Sequence, residues 1–159
     1  MSFVIDTNVL VTANGQNNSA CEDCVESCVV RLTDIYENKK MVIVDNTLEI
    51  FQEYARLCCF SGQPGMGNFF FKWLWDNQGY HTICHKVNIT IPTCHYPFVF
   101  AEIPNRHDLL GFDRSDQKFL AVAICYAGNA TIINATDSDW NNYSHVINSI
   151  NGVKVDNLC

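Results

Sequence analysis

No apolar run in this sequence approaches the ~18 residues that a membrane-spanning helix needs. No basic segment or signal-like apolar leader precedes the opening stretch "FVIDTNVLV". Those two absences give the expectation of a cytoplasmic chain with no membrane partner. Positive charge is scarce as well: Lys plus Arg number 10 against 17 Asp plus Glu, a net charge of −7. Bulk attraction cannot hold a polyanion to so acidic a chain, so any nucleic-acid contact needs bridging cations or a local basic edge. A phosphate-cradling loop is missing too, because "GQPGMG" has neither the lysine nor the strand-to-helix setting of one. A phosphoryl-transfer site built on the first aspartate would want a second one two residues later, and Asn8 stands there. There are no repeats, low-complexity tracts or linkers. The expectation is one domain over residues 1–159, whose 48% hydrophobic and 17% charged residues suit a globular core.

Cysteine, by contrast, is abundant, with nine in the chain. In a cytosolic protein all are expected to be reduced. Cys21, Cys24 and Cys28 share a helical stripe with Val25, Val29, Leu32 and Ile35, and free cysteine packs as a small hydrophobe. A second group, His81, Cys84, His85, Cys94 and His95, raises the alternative of a zinc-stabilised interaction protein using Cys21 and Cys24 as well. The spacing fits no standard zinc pattern, and core packing is the favoured reading.

Apolar runs and breakers alternate along the chain. "SFVID" and "MVIVD" read as strands, "CHKVNITI" and "ATIINAT" as two more, and "GVKVDNL" as an edge strand. Between them lie a cysteine-striped helix with Ser19 as its expected N-cap, a helix in "NTLEIFQEYARLCCF", an aromatic helix in "NFFFKWLWDNQ", and helices in "RSDQKFLAVAICYAG" and "DSDWNNYSHVINSIN". Residues 90–109 form a long connection with Pro92, Pro97 and Pro104, where irregular structure or function is expected. Strands alternating with helices imply an α/β fold with a mostly parallel sheet, whose ligands sit beyond the carboxyl ends of the strands.

Acidic residues fall at those ends. Asp6 closes the first strand, Glu49 and Glu53 follow the second on one helix face, Asp116 opens a helix, and Asp137 and Asp139 follow "TIINAT". Turn formation accounts for Asp6, helix capping or dipole stabilisation for Asp116 and Asp137, and a solvated helix face for Glu49. None of these readings predicts that the acids meet at one edge. Converging carboxylates repel one another and resist burial, and a hard cation such as Mg²⁺ or Mn²⁺ relieves both costs.

Four stretches in order resemble the PIN-domain nucleases: "FVIDTNVLV", "TLEIFQEYARL", "DRSDQKFLAVAI" and "INATDSDW". The resemblance spans nearly the whole chain. It implies a three-layer α/β/α sandwich and an Mg²⁺- or Mn²⁺-dependent endoribonuclease. Such an enzyme cleaves single-stranded RNA by metal-activated water attack, leaving 5′-phosphate and 3′-hydroxyl ends. Many relatives of that family are toxins paired with an antitoxin protein or act in phage defence, and homodimers are common. Carried over by position, Asp6, Asp116 and Asp137 would ligate metal, with Asp139 as outer partner and Asn8 orienting Asp6. Glu53 would be the active-site glutamate, with Glu49 in reserve. Ser115 and Thr136 would assist a water or phosphate, and Arg114 and Lys118 would touch the RNA backbone. Trp73, Trp75 and residues 69–71 would either stack bases or, the favoured reading, form core or a dimer face. The alternative function is a non-catalytic module of the same shape that binds RNA or protein.

Overall fold

The computed structural model describes residues 1–92 and 97–159, so Cys94 and His95 lie outside the described residues. Five strands, β1 (Ser2–Ile5), β2 (Met41–Asp45), β3 (Cys84–Val87), β4 (Ala130–Asn134) and β5 (Val153–Asn157), make a sheet in the order β3-β2-β1-β4-β5. Every pairing is parallel, with Ile5 opposite Ile133 and Asn134 opposite Asn157. The interior strands carry short continuous apolar runs, Phe3–Ile5, Val42–Val44 and Ile132–Ile133, because both of their faces are covered. All four residues of β1 are buried.

Six helices alternate with the strands among the described residues: α1 (Thr7–Ala13), α2 (Glu22–Glu37), α3 (Glu49–Leu57), α4 (Met66–Asp76), α5 (Gln117–Cys125) and α6 (Ser138–Ile147). Helix α1 packs on α2, α3 and α4, while α5 lies against β1, β2 and β4, and α6 against β5. The result is a three-layer α/β/α sandwich, as the alternation of elements implies, and its sheet is wholly parallel. Among the described residues, no helix is long and apolar enough to cross a membrane.

The sequence reading assigned no element to residues 7–13, which form α1. Thr7, Val9, Val11 and Thr12 are β-branched and poor helix formers, and burial of Val9, Leu10 and Ala13 overrides that weakness. Close packing continues at Gly67 of α4, where a Cβ would sit 2.0 Å from the Leu10 carbonyl oxygen. The N-cap of α2 is Cys21 rather than Ser19, whose amide instead closes a turn onto Asn17 Oδ1. Of the expected stripe, Cys24, Cys28, Leu32 and Ile35 are buried, Val25 and Val29 are half-buried, and Cys21 is exposed.

One cysteine expectation is corrected. Cys24 and Cys159 form a disulfide, with Cα atoms 5.1 Å apart, so the cysteines are not all free. Burial pushes the thiols of Cys28, Cys58 and Cys84 up to about 11. The zinc set considered from sequence does not assemble among the described residues. Cys84 and His85 lie on β3 at one sheet edge, while Cys24 is tied to the residue that ends the chain beyond β5, at the other edge.

The aromatic helix is mostly interior: Phe70 and Phe71 are fully buried, and Trp73 and Trp75 pack against the core. Phe69, partly exposed, meets Tyr36 edge-on. Within the described part of the long connection, Phe98, Phe100, Ile103 and Leu109 enter the core, followed by Phe112, and a short 3-10 turn forms at His107–Leu109.

Candidate metal centre

The chain runs outward from β1 to β2 and β3, then crosses back to place β4 on the other side of β1. The carboxyl ends of β1 and β4 therefore flank the point where strand order reverses, where open parallel sheets form a crevice. Asp6 follows β1, and Asp137 lies just beyond β4. Asp116, at the start of α5, reaches the same place. One carboxylate oxygen from each of Asp6, Asp116 and Asp137 lies within 4.8 Å of the other two.

Asp6 is 3% exposed and has both oxygens engaged. Oδ1 accepts from the Asn8 backbone amide at 2.9 Å, which makes Asp6 the N-cap of α1. Oδ2 accepts from Trp140 Nε1 at 2.5 Å. Asp137 caps α6 by accepting from the Asp139 amide at 2.8 Å. Capping and convergence thus hold together for these two acids. Asp116 makes no side-chain capping bond, and its carboxylate accepts from Ser115 Oγ at 3.4 Å.

The electrostatic cost is plain. Burial, opposed by the Asn8 and Trp140 bonds and reinforced by the charges of Asp137 and Glu53, raises the Asp6 carboxyl to about 7. Burial, then repulsion from Asp6, Asp137 and Asp113, raises Asp116 to about 8 against the pull of Lys118. Carboxyls so displaced near neutrality hold protons that a cation can replace. The donors are all hard oxygens, the set that suits Mg²⁺ or Mn²⁺ rather than a soft metal.

Glu53 stands beside this group. Oε1 accepts from Thr7 Oγ1 at 2.5 Å, and Oε2 pairs with the nearly buried Lys118 ammonium. Lys118 also donates to the Ser115 carbonyl, so its charge is spent inside the protein. Lys118, expected from the resemblance to touch a substrate backbone, here serves as the counter-charge of Glu53. Glu49 takes no part in the cluster; its backbone amide donates to Asp45. Asp139 is outside the three-acid group and accepts from the Asp113 amide at 3.2 Å.

Asn8 meets Asp6 through its backbone amide. Its side chain spans to β4, donating to Asn134 Oδ1 and accepting from the Ala135 amide, each at 2.9 Å. Asn134, 1% exposed, in turn donates to the Asp137 carbonyl and to Asn157 Oδ1. This amide hub fixes the turn that carries Asp137. Thr136 accepts from Asn17 Nδ2 at 2.7 Å and so belongs to the same bracing. Ser115 donates to Asp113 Oδ1 at 2.6 Å. Arg114 is exposed.

Sequence reasoning missed Trp140, Thr7, Asn134 and Arg56 as members of the site. Trp140 lies in the stretch read as a helix, and its indole N–H is the part that matters here. The amide ending β4 was visible, but the contacts that make it a hub come from three separate segments. Arg56 lies 3.9 Å from Glu53, with its side chain 75% exposed. Asp45 shows the opposite outcome of the same motif. It ends β2 as Asp6 ends β1, yet it accepts four bonds, from Thr47 N and Oγ1, Glu49 N and Ile50 N. That carboxylate is consumed by the turn it starts.

No family model, curated protein or solved structure matches the chain.

Proposed function

We propose that this protein is a divalent-metal-dependent phosphodiesterase acting on single-stranded RNA. The observation that carries the reading is the convergence of Asp6, Asp116 and Asp137 within 4.8 Å at the switch point of a parallel sheet. A Mg²⁺ or Mn²⁺ ion bound there would lower the pKa of a coordinated water and offset charge on a phosphate. The chain's own residues prepare the place. Trp140 and the Asn8 amide hold Asp6 in one orientation, and Asn134 holds the turn of Asp137. Lys118 and Thr7 fix Glu53 at the edge of the cluster. With Lys118 occupied, Arg56, 3.9 Å from Glu53, and Arg114, two residues before Asp116, are exposed cations for an approaching phosphate. They are few, which suits a chain of net charge −7 only if bound cations supply part of the attraction.

The test is cleavage of a 5′-labelled single-stranded RNA by purified protein with Mn²⁺ or Mg²⁺. Expected is metal-dependent cleavage that leaves 5′-phosphate ends, stops with EDTA and is absent from the Asp6→Asn, Asp116→Asn double variant. Equal cleavage by the variant would mean contamination and end the enzyme reading. Metal-dependent RNA binding without cleavage would leave a non-catalytic module.

A further inference from the structure

A second group of ligand-type side chains lies away from the acids. Cys24 and Cys28 are one turn apart on α2, with exposures of 4% and 0%. Cys159 meets them from beyond β5. The three sulfurs all lie within 4.8 Å of one another. A tetrahedral thiolate site with metal–sulfur bonds of ~2.3 Å separates its sulfurs by about 3.8 Å. Only two of the three sulfurs are used by the Cys24–Cys159 bond, and Cys28 stands next to it as a free thiol.

The segment that carries Cys159 has anchors besides the disulfide. Arg31, one turn beyond Cys28 on α2, pairs with Asp156 of β5 at 2.7 Å. The β4–β5 ladder runs to Asn134 opposite Asn157, and the Leu158 amide donates to the Asn134 carbonyl at 2.9 Å. The chain is thus anchored to within one residue of Cys159 by bonds that reduction leaves untouched. Three reduced thiols held together in this way are a soft-donor set, the chemical opposite of the oxygen cluster at the sheet edge.

We infer that, once the Cys24–Cys159 bond is reduced, Cys24, Cys28 and Cys159 bind one soft divalent cation of the zinc class. The disulfide is then the oxidised, metal-free state of the same site. Reduction takes two electrons and two protons from a dithiol, which leaves as its own disulfide. Binding releases the three thiol protons as three metal–sulfur bonds form. The fourth tetrahedral position goes to water or an outside donor.

The experiment uses the full chain, reduced with a dithiol, desalted without oxygen and titrated with Cd²⁺. The readout is the ultraviolet sulfur-to-cadmium charge-transfer band, which carboxylates do not give, with far-ultraviolet circular dichroism as the folding control. Expected is one equivalent per chain in the reduced protein and loss of that band in the oxidised protein, in Cys28→Ala and in Cys159→Ser. Cys28→Ala keeps both disulfide partners, so its oxidised form reports whether the variant folds. A reduced chain that unfolds or shows no band would overturn the inference. So would a one-equivalent band that persists undiminished in either variant.

Discussion

Replacing Asp6 with asparagine removes a buried group that resists ionisation, and the consequence depends on pH in a fixed direction. The folded-state Asp6 carboxyl is raised to about 7 from an ordinary 3.8, so the folded chain holds this proton more tightly than the unfolded chain does. Its contribution is complete below the unfolded value and declines as pH rises towards about 7. Linkage between those two values gives a loss of about 2–3 kcal/mol between about pH 5 and about pH 8. Asp6→Asn has no such loss. It also relieves Asp116, whose rise owes more to Asp6 than to any other neighbouring charge. The amide has one acceptor oxygen for two donors, Asn8 N–H and Trp140 Nε1–H, which costs ~1–3 kcal/mol at any pH. The stability gap between variant and wild type should therefore move in the variant's favour by about 2–3 kcal/mol over that pH range. Mn²⁺ at about a hundred times its Kd should return about 2.7 kcal/mol to the wild type alone. Urea unfolding followed by circular dichroism, with and without Mn²⁺, measures both. A gap constant across pH, or equal stabilisation of both proteins by Mn²⁺, would refute the reasoning.

Trp140→Phe keeps the ring but strips Asp6 Oδ2 of its donor, and should cost ~1–3 kcal/mol, more at high pH than at low, by the same unfolding assay. Lys118→Met leaves the Glu53 carboxylate without its buried partner; about 3–5 kcal/mol should be lost, whereas the exposed Arg114→Ala should stay within ~0.5 kcal/mol. Asn134→Ala should loosen the Asp137 turn, and Mn²⁺ affinity measured by calorimetry should fall at least about tenfold, as when an outer-shell partner of a metal ligand is lost. Cys24→Ala opens a link between residues 135 apart in sequence and should lower stability under oxidising conditions by about 2–5 kcal/mol, while reduced wild type should match it.

The layer architecture was legible because strand and helix periods alternate cleanly, and the interior strands β2, β1 and β4 carry the apolar runs Val42–Val44, Phe3–Ile5 and Ile132–Ile133. Helix α1 was not, because four β-branched residues in seven argue locally for a strand and only contacts with α2, α3 and α4 argue otherwise. The disulfide was invisible for a related reason: its partners are 135 residues apart, and helical spacing explains Cys24 equally well as a core residue. The acids were found by position. Their standing relative to one another was not, since Asp6 and Asp45 end strands in the same way and differ only in how many amides and hydroxyls turn towards them. Glu49 and Glu53 share a helix face, and it is Thr7 and Lys118, from two other elements, that distinguish them.

The convergence of Asp6, Asp116 and Asp137 on one cation is tested most directly by a crystal soaked in Mn²⁺ and measured at the manganese edge. One anomalous peak bonded to carboxylate oxygens of all three residues is the predicted result. A crystal at saturating Mn²⁺ with no peak there, or with the three carboxylates turned apart, would contradict the account.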